Sequence, residues 1–191
     1  MNIILIGYRA TGKTSVGRSL ASRLGIPFHD TDEIIMQTTG KTILGLVDEG
    51  GWRLFRNKEK RAVACLSETD GCVVALGGGA LLDEDNVKPL SEKGLFIWLR
   101  ADAGAIVDRM RKDRNNDDQR PPLSGNDTGK EVRAMLRSRE KAYRKAAHFA
   151  VDTRGRNIEE VSEEILRVLR SSFGLSGFLG FSADGLTGET A

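Results

Sequence analysis

The sequence predicts an α/β protein organised as a three-layer sandwich, with parallel strands in the central layer and helices on both sides. Three observations carry that prediction. The apolar run Ile3-Ile4-Leu5-Ile6 passes through a glycine-bounded loop into an amphipathic segment. Further apolar runs then alternate with segments of helical periodicity along the chain. The runs are apolar throughout rather than at every second residue, as strands are when a sheet is covered on both faces.

Strands are expected at residues 3–6, 73–76, 96–99 and 149–151, with a shorter one at 26–29 just before Asp30. Helices are expected at residues 14–24, 33–38, 53–67, 103–112, 130–146 and 158–169. The first is set by Val16, Leu20 and Leu24 at four-residue spacing. Gly17 inside it costs about 1 kcal/mol of helix stability relative to alanine, a cost that close packing on the sheet explains. Strand and helix alternate, so right-handed crossovers should make the sheet parallel. Ligands then collect beyond the carboxyl ends of the strands, on a rim shared by Gly7, Asp30, Asp32 and the glycines 77–79.

With 191 residues the chain can form one domain with a substantial core, and 39% hydrophobic content is ordinary for a soluble protein. A formal net charge of +2 gives no basic field that would attract nucleic acid. No apolar stretch approaches the ~20 residues of a membrane helix, and residues 2–6 lack the basic flank of a secretory signal. Cys65 and Cys72 have no metal-ligand spacing and read as buried free thiols in a reducing compartment, so a cytoplasmic protein is expected. The domain is expected to span residues 1–170. Within it, residues 111–129 are polar and contain Pro121-Pro122; over residues 111–120 there are four basic and three acidic side chains. A long polar loop of this kind reads as a mobile lid. Residues 171–191, with five glycines between Gly174 and Gly188, read as a flexible tail.

Gly7-Tyr8-Arg9-Ala10-Thr11-Gly12-Lys13-Thr14 fits G-x-x-x-x-G-K-[ST] in the strand–loop–helix setting where that pattern works. The loop's N–H groups cradle phosphate oxygens at the positive end of a helix. Lys13 can reach the β- and γ-phosphates, and the Thr14 hydroxyl can ligate Mg²⁺. The pattern identifies a nucleoside triphosphate but not the acceptor.

Four further groups stand along the chain. Asp30-Thr31-Asp32 follows the second strand; two carboxylates at i and i+2 on a strand point the same way. One can hold Mg²⁺ through water and the other can accept from a substrate hydroxyl, while helix capping by Thr31 or Asp32 is the competing and compatible account. Arg56 and Glu59 stand at i, i+3 after Phe55. They form either an exposed ion pair of little worth, or a carboxylate that orients a guanidinium for bidentate grip on an anionic substrate. Gly77-Gly78-Gly79 ends a buried strand, where three glycines let backbone approach a ligand closely. Arg120-Pro121-Pro122 lies in the expected lid. Arg139 is one of several arginines on a long helix, and pattern alone does not single it out.

Taken in order, the phosphate loop, Asp30-Thr31-Asp32, Phe55-Arg56, the triple glycine and Arg120-Pro121 with Arg139 beyond resemble the shikimate kinase family, within the P-loop nucleoside-monophosphate-kinase-like group. The resemblance covers residues 2–169. It implies a five-stranded parallel sheet, a closing lid, and ATP-dependent phosphorylation of the 3-hydroxyl of shikimate. It implies ATP binding by Ala10, Thr11, Gly12, Lys13, Thr14 and Ser15, with Arg120 on the phosphates and Arg109 and Arg156 flanking adenine. Mg²⁺ would be held by Thr14, with Asp30 behind it through water. Shikimate would be bound by Asp32, Arg56, Gly77, Gly78, Gly79 and Arg139. Lys13, Asp32 and Arg120 would be the catalytic set, in a monomer with no nucleic-acid or membrane partner. The chain departs from the family in having Ala10 where glycine is usual, and Trp52 where Gly51 is commonly followed by glutamate.

Overall fold

The computed structural model describes residues 1–112 and 128–173. The expected lid loop with Arg120 lies outside them, as does nearly all of the expected tail. Strand β1 (Asn2–Ile6) leads into helix α1 (Lys13–Leu24). There follow β2 (Phe28–Asp30), α2 (Thr31–Thr39), α3 (Ile43–Ser67), β3 (Val73–Ala75) and α4 (Glu84–Ser91). The chain continues with β4 (Gly94–Arg100), α5 (Ala103–Lys112), α6 (Thr128–Ala146), β5 (Phe149–Asp152) and α7 (Ile158–Phe173). The five strands are parallel, in the order β2-β3-β1-β4-β5.

Because side chains alternate across a strand, β1 supplies both cores. Ile3 and Leu5 pack with Val16 and Leu20 of α1 and with Ile165, Leu166 and Leu169 of α7. Ile4 and Ile6 face the other way, onto Val63 and Leu66 of α3, Leu90 of α4 and Tyr143 of α6. All four β1 isoleucine and leucine side chains are at most 1% exposed, which explains why the run carries no polar alternation. The cost of Gly17 is accounted for by the same packing: a Cβ there would lie 3.0 Å from Cδ2 of Phe28 and 3.3 Å from Cδ1 of Leu5.

Three elements differ most from expectation. Helix α3 begins ten residues earlier, at Ile43, under a Thr42 cap whose Oγ1 accepts from Gly45 N–H at 3.0 Å. It is broken at Gly50 and Gly51, the latter at φ 69°, so its second half starts at Trp52. Glycines at 45, 50 and 51 mask this first half in any propensity reading. Helix α4 was not expected either; it is short and carries Pro89. Helix α7 runs on to Phe173, three residues into the expected tail. Cys72 is buried as expected, but Cys65 is exposed on the outer face of α3.

The connections after β1 and β3 leave toward opposite edges of the sheet, and these two strands are neighbours. The crevice beyond their carboxyl ends is where a sheet of this kind receives ligands.

Candidate active site

The loop after β1 is held open by backbone conformations few residues adopt. Gly7 has φ 143° and Gly12 φ 94°. A Cβ on Gly7 would lie 2.5 Å from the Leu99 carbonyl oxygen, so only glycine fits. Ala10 is the one described non-glycine residue at positive φ, 59°, where L-residues are disfavoured. Lys13 Nζ donates to the carbonyls of Gly7 (2.9 Å) and Tyr8 (3.0 Å), so the ammonium lies over the loop's own concavity. Thr11 is buried and its hydroxyl donates to the Tyr8 carbonyl at 2.8 Å, bracing the loop from beneath. Ser15 is exposed in the first turn of α1.

Asp30 and Asp32 do not share a strand as expected. Asp30 ends β2 and caps α2, accepting at Oδ1 from the Asp32 N–H at 2.9 Å. Its Oδ2 accepts from the Thr14 hydroxyl at 2.7 Å. Asp32 sits in the first turn of α2, 8% exposed, and turns to the crevice instead. The helix begins two residues earlier than expected, and its turn sends the two carboxylates in different directions. The Thr14–Asp30 pair is a hard-oxygen corner beside the phosphate loop, suited to Mg²⁺, which takes one or two protein oxygens plus substrate phosphates rather than an all-protein cage. The described residues contain no cluster of three or more His, Cys, Asp or Glu able to hold a metal.

A second pocket opens next to the loop, lined by Tyr8, Arg9, Asp32, Trp52, Phe55, Arg56, Glu59, the three glycines and Arg139. Arg56 donates from Nη1 to Oε2 of Glu59 one turn along α3. Glu59 is 1% exposed, so this is not an exposed ion pair of little worth. Burial pushes the Glu59 carboxyl above its ordinary value, and the Arg56 guanidinium pulls back against that rise. The triple glycine is required by these side chains. A Cβ at Gly77 would lie 2.6 Å from Glu59 Oε1, and one at Gly79 would lie 2.8 Å from Arg56 Cζ. A Cβ at Gly78 would lie 3.3 Å from both Arg139 Nη1 and the Gly7 carbonyl. Arg139 reaches in from α6, donates to the Gly78 carbonyl at 2.9 Å and lies over the Tyr8 ring. Trp52, 52% exposed, sits edge-on to Phe55 with the Arg56 guanidinium 5.6 Å from its ring centre. Its placement follows from the break at Gly51.

Asp32, Arg56, the glycines 77–79 and Arg139 thus line one pocket, and the loop carrying Lys13 and Thr14, with Asp30 beside it, adjoins that pocket at Tyr8. Arg109 also comes to the phosphate loop, donating to the Ala10 carbonyl (3.2 Å) and to Thr153 Oγ1 (2.9 Å). Arg156 turns instead onto α7, donating to the Glu160 carbonyl at 2.7 Å and pairing with Glu164. Sequence reading missed Tyr8 and Tyr143. The second stands four residues after Arg139 on the same helix face, a spacing that would have found it.

A phosphate loop facing a pocket with two guanidiniums and a carboxylate defines a P-loop kinase for a small anionic alcohol. The family model described as shikimate kinase matches residues 9–170. A shikimate kinase of Syntrophus aciditrophicus is 42% identical over 178 residues, covering 89% of this chain and 91% of that one. Shikimate kinase 2 of Pectobacterium atrosepticum is 38% identical over 170 residues, covering 89% of this chain and 96% of that one. Among solved structures, shikimate kinase from Acinetobacter baumannii in complex with shikimate superposes with a TM-score of 0.82 at 31% identity, covering 89% of this chain and 93% of that one. The chain belongs to the shikimate kinase family.

Proposed function

We propose that this protein transfers the γ-phosphoryl group of ATP to the 3-hydroxyl of shikimate, giving shikimate 3-phosphate and ADP on the route to chorismate and the aromatic amino acids. One observation carries the reading. Asp32, Arg56 and Arg139 line a pocket that abuts the Lys13 loop, so an anionic alcohol held there faces a bound nucleotide's terminal phosphate.

Phosphoryl transfer asks for positioning and charge neutralisation more than for covalent catalysis. Lys13 leaves its two carbonyl acceptors to meet the β- and γ-phosphates and stabilises charge gathering on the transferring group. Thr14, with Asp30 hydrogen-bonded to it, would hold Mg²⁺, which would supply further charge neutralisation. Arg56, aimed by Glu59, and Arg139 grip the acceptor carboxylate. The Asp32 carboxylate receives the attacking hydroxyl's hydrogen bond and then its proton. Arg120, outside the described residues, is assigned to the transferring phosphate on the family pattern, and Arg109 and Arg156 to the adenine side. A cytoplasmic location belongs to the same reading, since an ATP-consuming enzyme with unpaired thiols suits a reducing compartment.

The test is an ADP-coupled assay with shikimate, gluconate and nucleoside monophosphates as acceptors. Shikimate should support turnover and the others should not. Lys13→Ala should lower kcat at least about a hundredfold with the folding transition unchanged. Arg56→Ala should raise the shikimate KM while leaving ATP binding intact. An unchanged shikimate KM in that variant would refute the carboxylate role.

A further inference from the structure

Two side chains of α6 end on one backbone atom. Tyr143 Oη donates to the Gly78 carbonyl oxygen at 2.5 Å, and Arg139 Nη1 donates to the same oxygen at 2.9 Å. Tyr143 is 2% exposed and its ring packs against Trp98, with centroids 5.7 Å apart. Burial pushes its phenol up to about 12, so the hydroxyl keeps its proton and remains a donor. A buried tyrosine hydroxyl needs a partner, and many carbonyls would serve. This carbonyl matters because of the peptide it belongs to.

In a trans peptide the carbonyl and the next residue's N–H point in opposite directions. With the Gly78 carbonyl drawn to α6, the Gly79 N–H is turned away from α6. Arg56 packs against the same glycine: its Cζ would lie 2.8 Å from a Cβ on Gly79. No described residue accepts from the Gly79 N–H. Glycines on both sides leave this peptide free to rotate unless something holds it. Arg139 cannot be the only anchor, because its guanidinium also lines the pocket and must answer to an anion arriving there.

We infer that Tyr143 is a positioning residue for acceptor binding: by pinning the Gly78 carbonyl it aims the Gly79 amide at the acceptor's carboxylate, beside Arg56. The inference rests on the acceptor chemistry proposed above. It adds a residue that touches neither substrate yet sets the orientation of a donor that does. It also separates two jobs at one carbonyl, since Tyr143 keeps the oxygen satisfied while Arg139 turns to the ligand.

Tyr143→Phe keeps the ring and its packing on Trp98 and removes only the donor. Steady-state kinetics should show the shikimate KM raised about three- to tenfold, the loss of one net hydrogen bond. The kcat and the ATP KM should stay within about twofold. A residue that merely packs would not separate the two KM values in this way. In wild-type protein labelled with ¹⁵N-glycine, the Gly79 amide resonance should shift on saturation with shikimate, a readout independent of whether the variant folds. A variant shikimate KM within twofold of wild type, or an unmoved Gly79 resonance, overturns the inference while turnover of shikimate by the wild type stands. Wild-type protein that neither phosphorylates shikimate nor binds it by calorimetry overturns the acceptor reading, and this inference with it.

Discussion

Glu59 and Arg56 form an ion pair within a single turn of α3 in which the carboxylate is buried and the guanidinium is 36% exposed at the pocket wall. The buried partner aims the exposed one. Glu59→Gln should therefore raise the shikimate KM about tenfold, equivalent to about 1.4 kcal/mol, with the ATP KM unchanged in the coupled assay.

The same pair predicts a pH dependence. Burial holds the Glu59 carboxyl above its ordinary value despite Arg56. Between the unfolded and folded values the native protein holds more protons than the unfolded chain. The stability contributed by this group is full below the ordinary glutamate value and is lost as pH rises through the raised one. Acceptor binding runs the other way, because only the ionised carboxylate aims Arg56. The shikimate KM should climb as pH falls through the raised value, and Glu59→Gln should abolish that acid limb. An identical pH profile in the variant would remove Glu59 from the mechanism.

Two glycine substitutions should have opposite characters. Gly79→Ala places a methyl against the Arg56 guanidinium, the movable end of a long side chain. The fold should survive with little change in Tm, while displacement of the guanidinium raises the shikimate KM about ten- to hundredfold. Gly17→Ala drives its methyl into the Phe28 ring between helix and sheet. It should cost about 1–3 kcal/mol of stability by overpacking, in spite of alanine's better helix propensity. Thermal denaturation and kinetics on both proteins separate the two effects.

Asp30→Asn keeps an N-cap acceptor for the Asp32 N–H but removes the charge behind Thr14. The Mg²⁺ concentration for half-maximal rate at fixed ATP should rise about tenfold or more, as for other residues that support a metal ligand. Equal Mg²⁺ titrations in variant and wild type would exclude Asp30 from that role.

Ala10 stands at φ 59° in the phosphate loop. The left-handed conformation costs an alanine about 1–2 kcal/mol, offset in part by the looser unfolded chain that glycine brings. Ala10→Gly should raise stability by about 0.5–1 kcal/mol, measurable as a higher midpoint in urea.

The strands, most helices and the phosphate loop were legible because each is encoded by neighbours in sequence. Ile3 to Ile6 are buried on both faces and show it by lacking polar alternation. Gly12-Lys13-Thr14 must be contiguous to make one cradle. The first half of α3 was not legible, because three glycines within it lower its apparent propensity and only packing of Ile43 and Leu46 against Ile35 and Phe55 restores it. Spacing alone did not separate Asp30 from Asp32, although the family resemblance did: the start of α2 between them sends one to Thr14 and the other to the pocket beside Arg56.

By itself, then, the order of residues determined a parallel α/β sandwich with a triphosphate loop, since local periodicity and one short motif suffice for both. Which guanidiniums line the pocket was decided, as far as local pattern goes, only in three dimensions. Arg56, Glu59, Gly79 and Arg139 come from three separate stretches of chain, and their contacts exist only once the sheet has set α3, the β3 terminus and α6 around a common crevice. An arginine on α6 carries the same local signal as its exposed neighbours until the Gly78 carbonyl lies 2.9 Å away.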